Sequence, residues 1–416
     1  MVRAFFSLVL LLPFSTYAFK NGPFVVRQRR FLKAIVDESN NVIDIQDKPK
    51  WAAGGIASDL VNALIGFKPL FGIMKIAARN TLIGTAEKNG IPWRERSSVL
   101  ETQNSEILQS YYSELENKGI DYPKYYTREF HAYDDGNLNW QAAFECESAT
   151  MSMALRVWPK DGMTAIEAQN KLRSSFTDAV IAYMGKKPTK ILDVGCSVGV
   201  STFYLAKQFP GATVIDGLDL SPYFLAVAKQ RQILTAAAEK GDILKINDGG
   251  SVWSDLMRFV DSSVSRIRWI HGNAEDTKLP ENEYDVTAAS FMFHELPQGT
   301  SDIIIKEMFR VTAKSGVVAI TDNNPRSPVI QGLPPALFTL MKSTVTYSNI
   351  SNLRDLNDRI IFDYLTIAVT IYFLQEPWSD EYYIYDLENS LRAAGFVDIV
   401  TLATDPRHRT VMGRKA

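Results

Sequence analysis

Cysteine and histidine are scarce in this chain of 416 residues: two cysteines, Cys146 and Cys196, and four histidines, His131, His271, His294 and His408. Neither set can build a disulfide framework or a zinc cluster with ligand-like spacing, which argues against disulfide-scaffold and metal-dependent readings. An excess of charge of one sign is also missing, since 45 Lys+Arg oppose 47 Asp+Glu for a formal net charge of −2. A nucleic-acid partner is therefore not expected, because phosphate contacts need a basic excess or stripe. No internal repeat is present. No apolar run is continuous over the roughly 20 residues a membrane helix needs, for the apolar stretch Trp51 to Trp93 is broken by Asp59, Lys68-Pro69 and Lys75. What is abundant is core material: 46% of residues are hydrophobic and 22% charged, the composition of a globular protein.

The first residues look like an address. Arg3 gives a positive start, Ala4 to Phe14 an apolar run, and Thr16-Tyr17-Ala18 a small-x-small cleavage site, so residues 1–18 read as a signal peptide. Residues 19–50 follow as a transit-peptide-like segment and linker, basic and without an acidic residue from Phe19 until Asp37. An Ala18-Phe19 junction followed by such a stretch resembles the bipartite presequences of algae with complex plastids. That resemblance implies a plastid destination reached through the secretory system; plain secretion is the alternative.

Residues 51–185 read as a helical lid or docking region, with helical periods over Ser97 to Asn117, Ala142 to Val157 and Thr164 to Met184. From Lys190 strand-like runs alternate with helices, the signature of an α/β fold built from parallel β-α-β units. Expected strands are Lys190–Val194, Thr213–Asp219, Arg266–His271, Asp285–Ser290, Gly316–Asp322, Val397–Ala403 and Thr410–Arg414. Helices are expected at Val200–Gln208, Pro222–Glu239, Ser301–Thr312 and Asp386–Ala394.

The first strand runs through Asp193 and Val194 into Gly195-Cys196-Ser197-Val198-Gly199 and then a helix. The second ends at Asp219-Leu220, where a carboxylate can take both hydroxyls of a ribose. Gly195 and Gly199 are expected to let the backbone approach a ligand closely. A dinucleotide fingerprint would need glycine at 197 and 200, where Ser197 and Val200 stand. Asp193, two residues before the first glycine, would attract a cationic aminoacyl sulfonium and repel a pyrophosphate.

These residues resemble the class I S-adenosylmethionine-dependent methyltransferases, of the type 11-like kind, over about Lys190 to Ala416. Four stations occur in order: the Asp193 to Gly199 loop, Asp219, the His271-Gly272-Asn273-Ala274-Glu275-Asp276 loop, and Glu283 to Ser290 followed by Phe291-Met292-Phe293-His294-Glu295-Leu296-Pro297. The resemblance implies a Rossmann-like sheet of order 3-2-1-4-5-7-6 within residues 186–416 and S-adenosyl-L-methionine as cofactor. It implies cofactor contacts from Asp193, Gly195, Cys196, Ser197, Gly199, Asp219, Leu220, Asn273, Ala274, Glu275 and Ser290. Asn273 and Glu275 both remain open as the partner of the adenine amino group. His294 is a candidate general base, since histidine titrates near neutrality; a helix-capping or packing role is the alternative. Ser315 stands where the family more often has proline or glycine, which reads as a harmless turn change.

Tyr125 to Trp140 is dense in aromatic and hydrogen-bonding side chains and is expected to fold over the cofactor, with Tyr133, Asn137 and Trp140 as contacts. The Phe130-His131-Ala132-Tyr133 region and the tail Asp405-Pro406-Arg407-His408-Arg409-Thr410 resemble a group of plastid and cyanobacterial methyltransferase-like proteins of unassigned substrate. Against that group Val345 to Gln375 is an insert. Every valine codon begins with GT and one glutamine codon ends with AG, the usual intron borders, so a retained intron and a true helical insert both stay open. The expected activity is methyl transfer to a small, lipophilic acceptor, with peripheral membrane contact left open by the apolar pieces Leu60–Leu82 and Val329–Met341. A secreted or endomembrane methyltransferase and a non-catalytic S-adenosylmethionine-binding module are the alternatives.

Overall fold

Period-two alternation builds the central strands. In β1 (Lys190–Val194) Ile191 packs into a layer with Phe176, Val180 and Leu205, while Leu192 and Val194 pack into the opposite layer with Ile304, Met308 and Leu391. A strand buried on both faces in this way is the mark of a parallel sheet covered by helices on each side. The structure is a computed structural model that describes residues 79–128, 133, 135–239, 262–331 and 378–416. The two leader segments, the linker, His131 and the insert at 345–375 lie outside the described residues, as does most of the two apolar pieces. Among the described residues no helix is long and apolar enough to cross a membrane.

The remaining strands are β2 (Val214–Asp219), β3 (Ile267–His271), β4 (Tyr284–Ser290), β5 (Thr312–Asn323), β6 (Phe396–Ala403) and β7 (His408–Lys415). They form one seven-stranded sheet in the expected order, β3-β2-β1-β4-β5-β7-β6. Pairing is parallel from β3 through β5, and β7 runs antiparallel to both of its neighbours. The sheet order reverses at β1, so the carboxyl ends of β1 and β4 diverge and leave a crevice there.

Helices α1 (Trp93–Gln103), α2 (Ser105–Leu115), α3 (Trp140–Val157) and α4 (Ala165–Met184) precede the sheet. The single helix expected over Ser97 to Asn117 is in fact two. Asn104 breaks it, with its backbone at φ −123°, ψ 4° and its amide donating to Val99 O at 3.0 Å. A side chain that offers the backbone such an alternative partner competes with the helix. α4 is bounded as its sequence suggests, by a reciprocal capping box between Thr164 and Glu167 and by left-handed Gly185.

Helices α5 (Val200–Gln208) and α6 (Pro222–Glu239) follow β1 and β2, and α7 (Gln298–Val311) and α8 (Leu387–Ala394) cover the other face. A third apolar cluster joins Leu108, Ala142 and Phe144 to Val198, Val200, Phe224 and Val227. The helices before the sheet are thereby packed onto the segments that follow β1 and β2. β5 begins four residues before its expected start, because Lys314 to Gly316 is an irregularity within the strand and not a turn ahead of it: the register shifts between Tyr284/Thr312 and Val286/Val317. Ser315 takes φ +58° there. A left-handed serine costs about 1 kcal/mol or more, so the residue is not a neutral exchange for glycine.

Candidate active site

The chain leaves β1 through three left-handed residues, Gly195 (φ +69°), Ser197 (φ +51°) and Gly199 (φ +81°). The amides of Gly195 and Cys196 donate to Leu218 O at 2.8 and 3.0 Å, strapping the turn to β2. The two glycines serve different ends. A Cβ at Gly195 would lie 2.5 Å from the Met292 sulfur, and Gly195 lines a cavity of about 720 Å³. A Cβ at Gly199 would lie 2.5 Å from the Trp269 ring. Gly199 therefore answers to backbone conformation and packing, and of the two glycines only Gly195 lines the cavity.

Asp219 ends β2 on the cavity wall, together with Cys196, Ser197 and Leu220. Its carboxylate accepts the Ser197 amide at 2.7 Å and the Ser221 amide at 2.8 Å, which fixes both oxygens relative to the turn. Burial nevertheless pushes its pKa up to about 6, the amides only partly offsetting it. Asp193 is fully buried and stands back from the wall. One of its oxygens accepts the Ser201 and Thr202 hydroxyls, both at 2.6 Å, and the other has no hydrogen-bond partner among the described residues. It holds the start of α5 from beneath. Burial raises its pKa to about 6 as well.

The segment between α2 and α3 covers the β2 and β3 ends. His271 accepts the Asn117 amide on Nδ1 at 2.8 Å, so Nε2 carries the proton and faces Leu220 O at 3.1 Å. Asn273 and Ala274 line the cavity, but the Asn273 amide oxygen already accepts from the Glu275 amide at 2.9 Å. Glu275 stands off the wall and accepts the Tyr125 hydroxyl at 2.9 Å, which engages both candidates for the adenine side within the protein. Tyr133 and Asn137 do line the cavity. Tyr133 donates to Glu145 at 2.6 Å, Glu145 pairs with Arg79, and Asn137 O accepts the Ser221 hydroxyl at 2.7 Å. Trp140 is not among the cavity-lining residues; Tyr112, Phe144 and Tyr223 hold it in an aromatic cluster.

At the ends of β4 and β5 the wall is made of side chains. Ser290 lines the cavity, and its buried hydroxyl has no hydrogen-bond partner among the described residues. Phe291 takes φ +58°, an outlier for a bulky residue. Its ring lies 5.0 Å from the Arg173 guanidinium and 4.9 Å, edge-on, from the His408 ring. His294 is buried, with Nδ1 2.6 Å from an oxygen of Asp322 and its amide donating to the other oxygen at 3.2 Å. Glu295 Oε1 lies 4.0 Å from Nε2. Asp322 thereby fixes the ring, as an orienting carboxylate does for a general base.

Among the cavity residues given no site role from the sequence are Arg173, Arg407 and His408. Arg173 sits on the buried stripe of α4 between Leu172 and Phe176, and a cation at such a position was the signal available. Burial lowers its pKa to about 10.

A seven-stranded sheet of this order, with a glycine turn after β1 and a carboxylate closing β2, is the class I methyltransferase fold. Residues 192–320 match the family model described as a methyltransferase domain, so the chain carries that domain. A demethylmenaquinone methyltransferase of Bacillus subtilis is 27% identical over 157 residues, 38% of this chain and 54% of that protein. One of Staphylococcus aureus is 24% identical over 147 residues, 35% of this chain and 48% of that protein. The chain thus spans about half the length of the curated relatives it matches. Among solved structures, human N-acetylserotonin methyltransferase in complex with S-adenosylmethionine has a TM-score of 0.38 at 12% identity, covering 78% of this chain and 71% of that one. A TehB-like methyltransferase of Corynebacterium glutamicum has a TM-score of 0.31 at 14% identity, covering 59% and 88%.

Proposed function

We propose that this protein transfers the methyl group of S-adenosylmethionine to a small, lipophilic, quinone-like acceptor. The observation that carries the reading is the pairing of the Gly195–Ser197 turn with the Asp219 carboxylate on one cavity wall. Asp219 would hold the ribose hydroxyls, Leu220, Asn273 and Ala274 the base, and Arg173 the amino-acid carboxylate. When bound, S-adenosylmethionine supplies an electrophilic methyl group on a sulfonium centre. The protein's own contribution is chiefly positioning, which alone can supply several kcal/mol of barrier reduction. His294, held by Asp322, takes the acceptor's proton at Nε2, and Glu295 stabilises the imidazolium that forms.

The quinone-like character of the acceptor is suggested by the names of the Bacillus and Staphylococcus relatives. It suits a cavity walled by Trp93, Tyr126, Phe291, Ile304, Ile330 and Trp378. The leader sequence supports a plastid setting, which a fluorescent fusion of residues 1–50 would test. Calorimetry with S-adenosylmethionine combined with an acceptor screen tests the activity. Micromolar binding with turnover of at least one ring-hydroxylated lipophile is expected, and binding with no turnover across the screen would replace the enzyme with a cofactor-binding module.

A further inference from the structure

The tail Asp405 to His408 takes no part in the reading above, yet it reaches the same cavity. The strand β7 enters the sheet beside the end of β5, with His408 opposite Asn323. The Asn324 amide donates to Arg407 O at 2.8 Å, and the Ser327 hydroxyl donates to Pro406 O at 2.5 Å. Asp405 organises the segment. Its Oδ1 accepts the amides of Arg407 and His408 at 2.8 and 2.9 Å, and its Oδ2 lies 2.8 Å from His408 Nδ1. One carboxylate thus presents two adjacent side chains, Arg407 and His408, to the cavity, one residue along β5 from the Asp322 that holds His294.

The two side chains differ in what they already hold. His408 is committed through Nδ1 to Asp405 and by its edge to Phe291. The Arg407 guanidinium makes no hydrogen bond or ion pair among the described residues, although burial works against its charge. Asp405, the carboxylate in electrostatic range, is already shared between two amides and an imidazole. Arg409, by contrast, pairs with Glu388 and Arg79 with Glu145, while Arg173 in the same cavity stacks on the Phe291 ring. A half-buried guanidinium with no directly paired carboxylate among the described residues, on the wall of a binding cavity, is placed to take one from the ligand.

We infer that Arg407, set by the Asp405 turn, is the anchor for a carboxylate on the methyl acceptor, which is therefore an amphiphile: a lipophilic ring bearing one carboxylate. A planar guanidinium matches a carboxylate in a two-point contact. With Arg173 given to the cofactor, the one charge of Arg407 matches one negative charge better than the two of a phosphate monoester. The inference deepens the proposed methyl transfer and rests on it for the word acceptor. The binding it describes can be measured without any turnover.

The test uses the mature chain and three probes of one ring system: 2-naphthoate, 2-naphthamide and 2-naphthyl phosphate. Calorimetry is run with S-adenosylhomocysteine at saturation, so that the Arg173 end is occupied, and again without it. Expected are binding of 2-naphthoate at least tenfold tighter than of either other probe, and a loss of at least tenfold for 2-naphthoate in Arg407→Met. Arg407→Lys should recover part of that loss, and both variants should keep the wild-type melting temperature and S-adenosylhomocysteine affinity within twofold. Equal binding of naphthoate and naphthamide, or of naphthoate by Arg407→Met and wild type, overturns the assignment. Tighter binding of the phosphate overturns the carboxylate. Failure of S-adenosylhomocysteine to bind would sink the methyltransferase reading instead. The naphthoate preference and its dependence on Arg407 would still be read from the cofactor-free arm.

Discussion

The two ends of the cavity are built by different means. At the β1–β2 end the ligand-facing surface is largely main chain: a turn of left-handed residues strapped to Leu218 O, and one carboxylate locked by two amides. At the β4–β5 end it is a set of side chains, Phe291, His294 and Arg407, drawn from two segments, with His294 and the Arg407 turn held by the carboxylates of Asp322 and Asp405, which do not themselves line the cavity. A main-chain cradle is tied to one ligand, because its geometry changes only with the fold. A side-chain wall can be re-specified residue by residue, which is where a methyltransferase chooses its acceptor.

The sharpest way to break this comparison is to ask whether the ends act independently. His294→Ala should reduce kcat by about 10²–10⁴-fold, the usual contribution of a positioned general base, and leave S-adenosylmethionine affinity within twofold. Steady-state kinetics beside calorimetry reads both numbers. Undiminished turnover would return His294 to a packing role, and a parallel loss of cofactor affinity would show that the ends are coupled. Next in size, Asp219→Ala should weaken S-adenosylmethionine by about 100-fold, close to 3 kcal/mol, as expected for removing a charged partner of two hydroxyls. It also frees the Ser197 and Ser221 amides. A change under threefold in calorimetry would remove Asp219 from the site.

The same contrast explains what the sequence disclosed. Six of the seven strand starts were legible to within two residues from strand-like runs set between turn residues, whereas the strand order followed from the family resemblance and not from the runs themselves. The seventh, β5, carries its irregularity inside the strand, where Ser315 and Gly316 imitate a turn. The turn and Asp219 were legible because they lie within 25 residues of one another. The separate duties of Gly195 and Gly199 were not, since Trp269 comes from β3 and Met292 from beyond β4. Arg173 and Arg407 are 234 positions apart and meet one cavity only through the fold. The place of Trp140 was illegible for a related reason: aromatic density before the core marks a packed segment, and which rings line the cavity depends on where Tyr112 and Tyr223 sit.

Glycine substitution tests the division within the cradle itself. Gly199→Ala forces a Cβ against the indole of Trp269 in a left-handed backbone and should destabilise the protein by about 2–3 kcal/mol. Gly195→Ala meets the mobile end of Met292 and should cost about 1–2 kcal/mol, mostly from its φ. Of the two, only Gly195→Ala should also weaken S-adenosylmethionine beyond what its stability loss explains, since only Gly195 faces the cavity. Denaturant titration and calorimetry on both variants separate the effects, and an equal affinity loss in both would restore the expectation that each glycine lets the ligand approach.

The smallest expected effect is the most specific to the cradle, because it predicts slopes of opposite sign. Asp193 and Asp219 both have folded-state pKa values raised by burial to about 6. An acid raised above its unfolded value of about 3.9 contributes stability that is fully present below that value and is lost as pH rises through about 6. The ligand-free protein should therefore gain a few degrees in melting temperature between pH 7 and pH 5 from these two groups. S-adenosylmethionine, carrying a sulfonium and an ammonium, favours the ionised carboxylates, so its affinity should fall severalfold over the same interval. Asp193→Asn would remove that group's share of the stability slope. It would leave most of the affinity slope in place, since Asp219 and not Asp193 lies on the wall. Loss of the affinity slope with Asp193→Asn would mean that the buried carboxylate acts on the ligand through the turn after all, by its field and without contact.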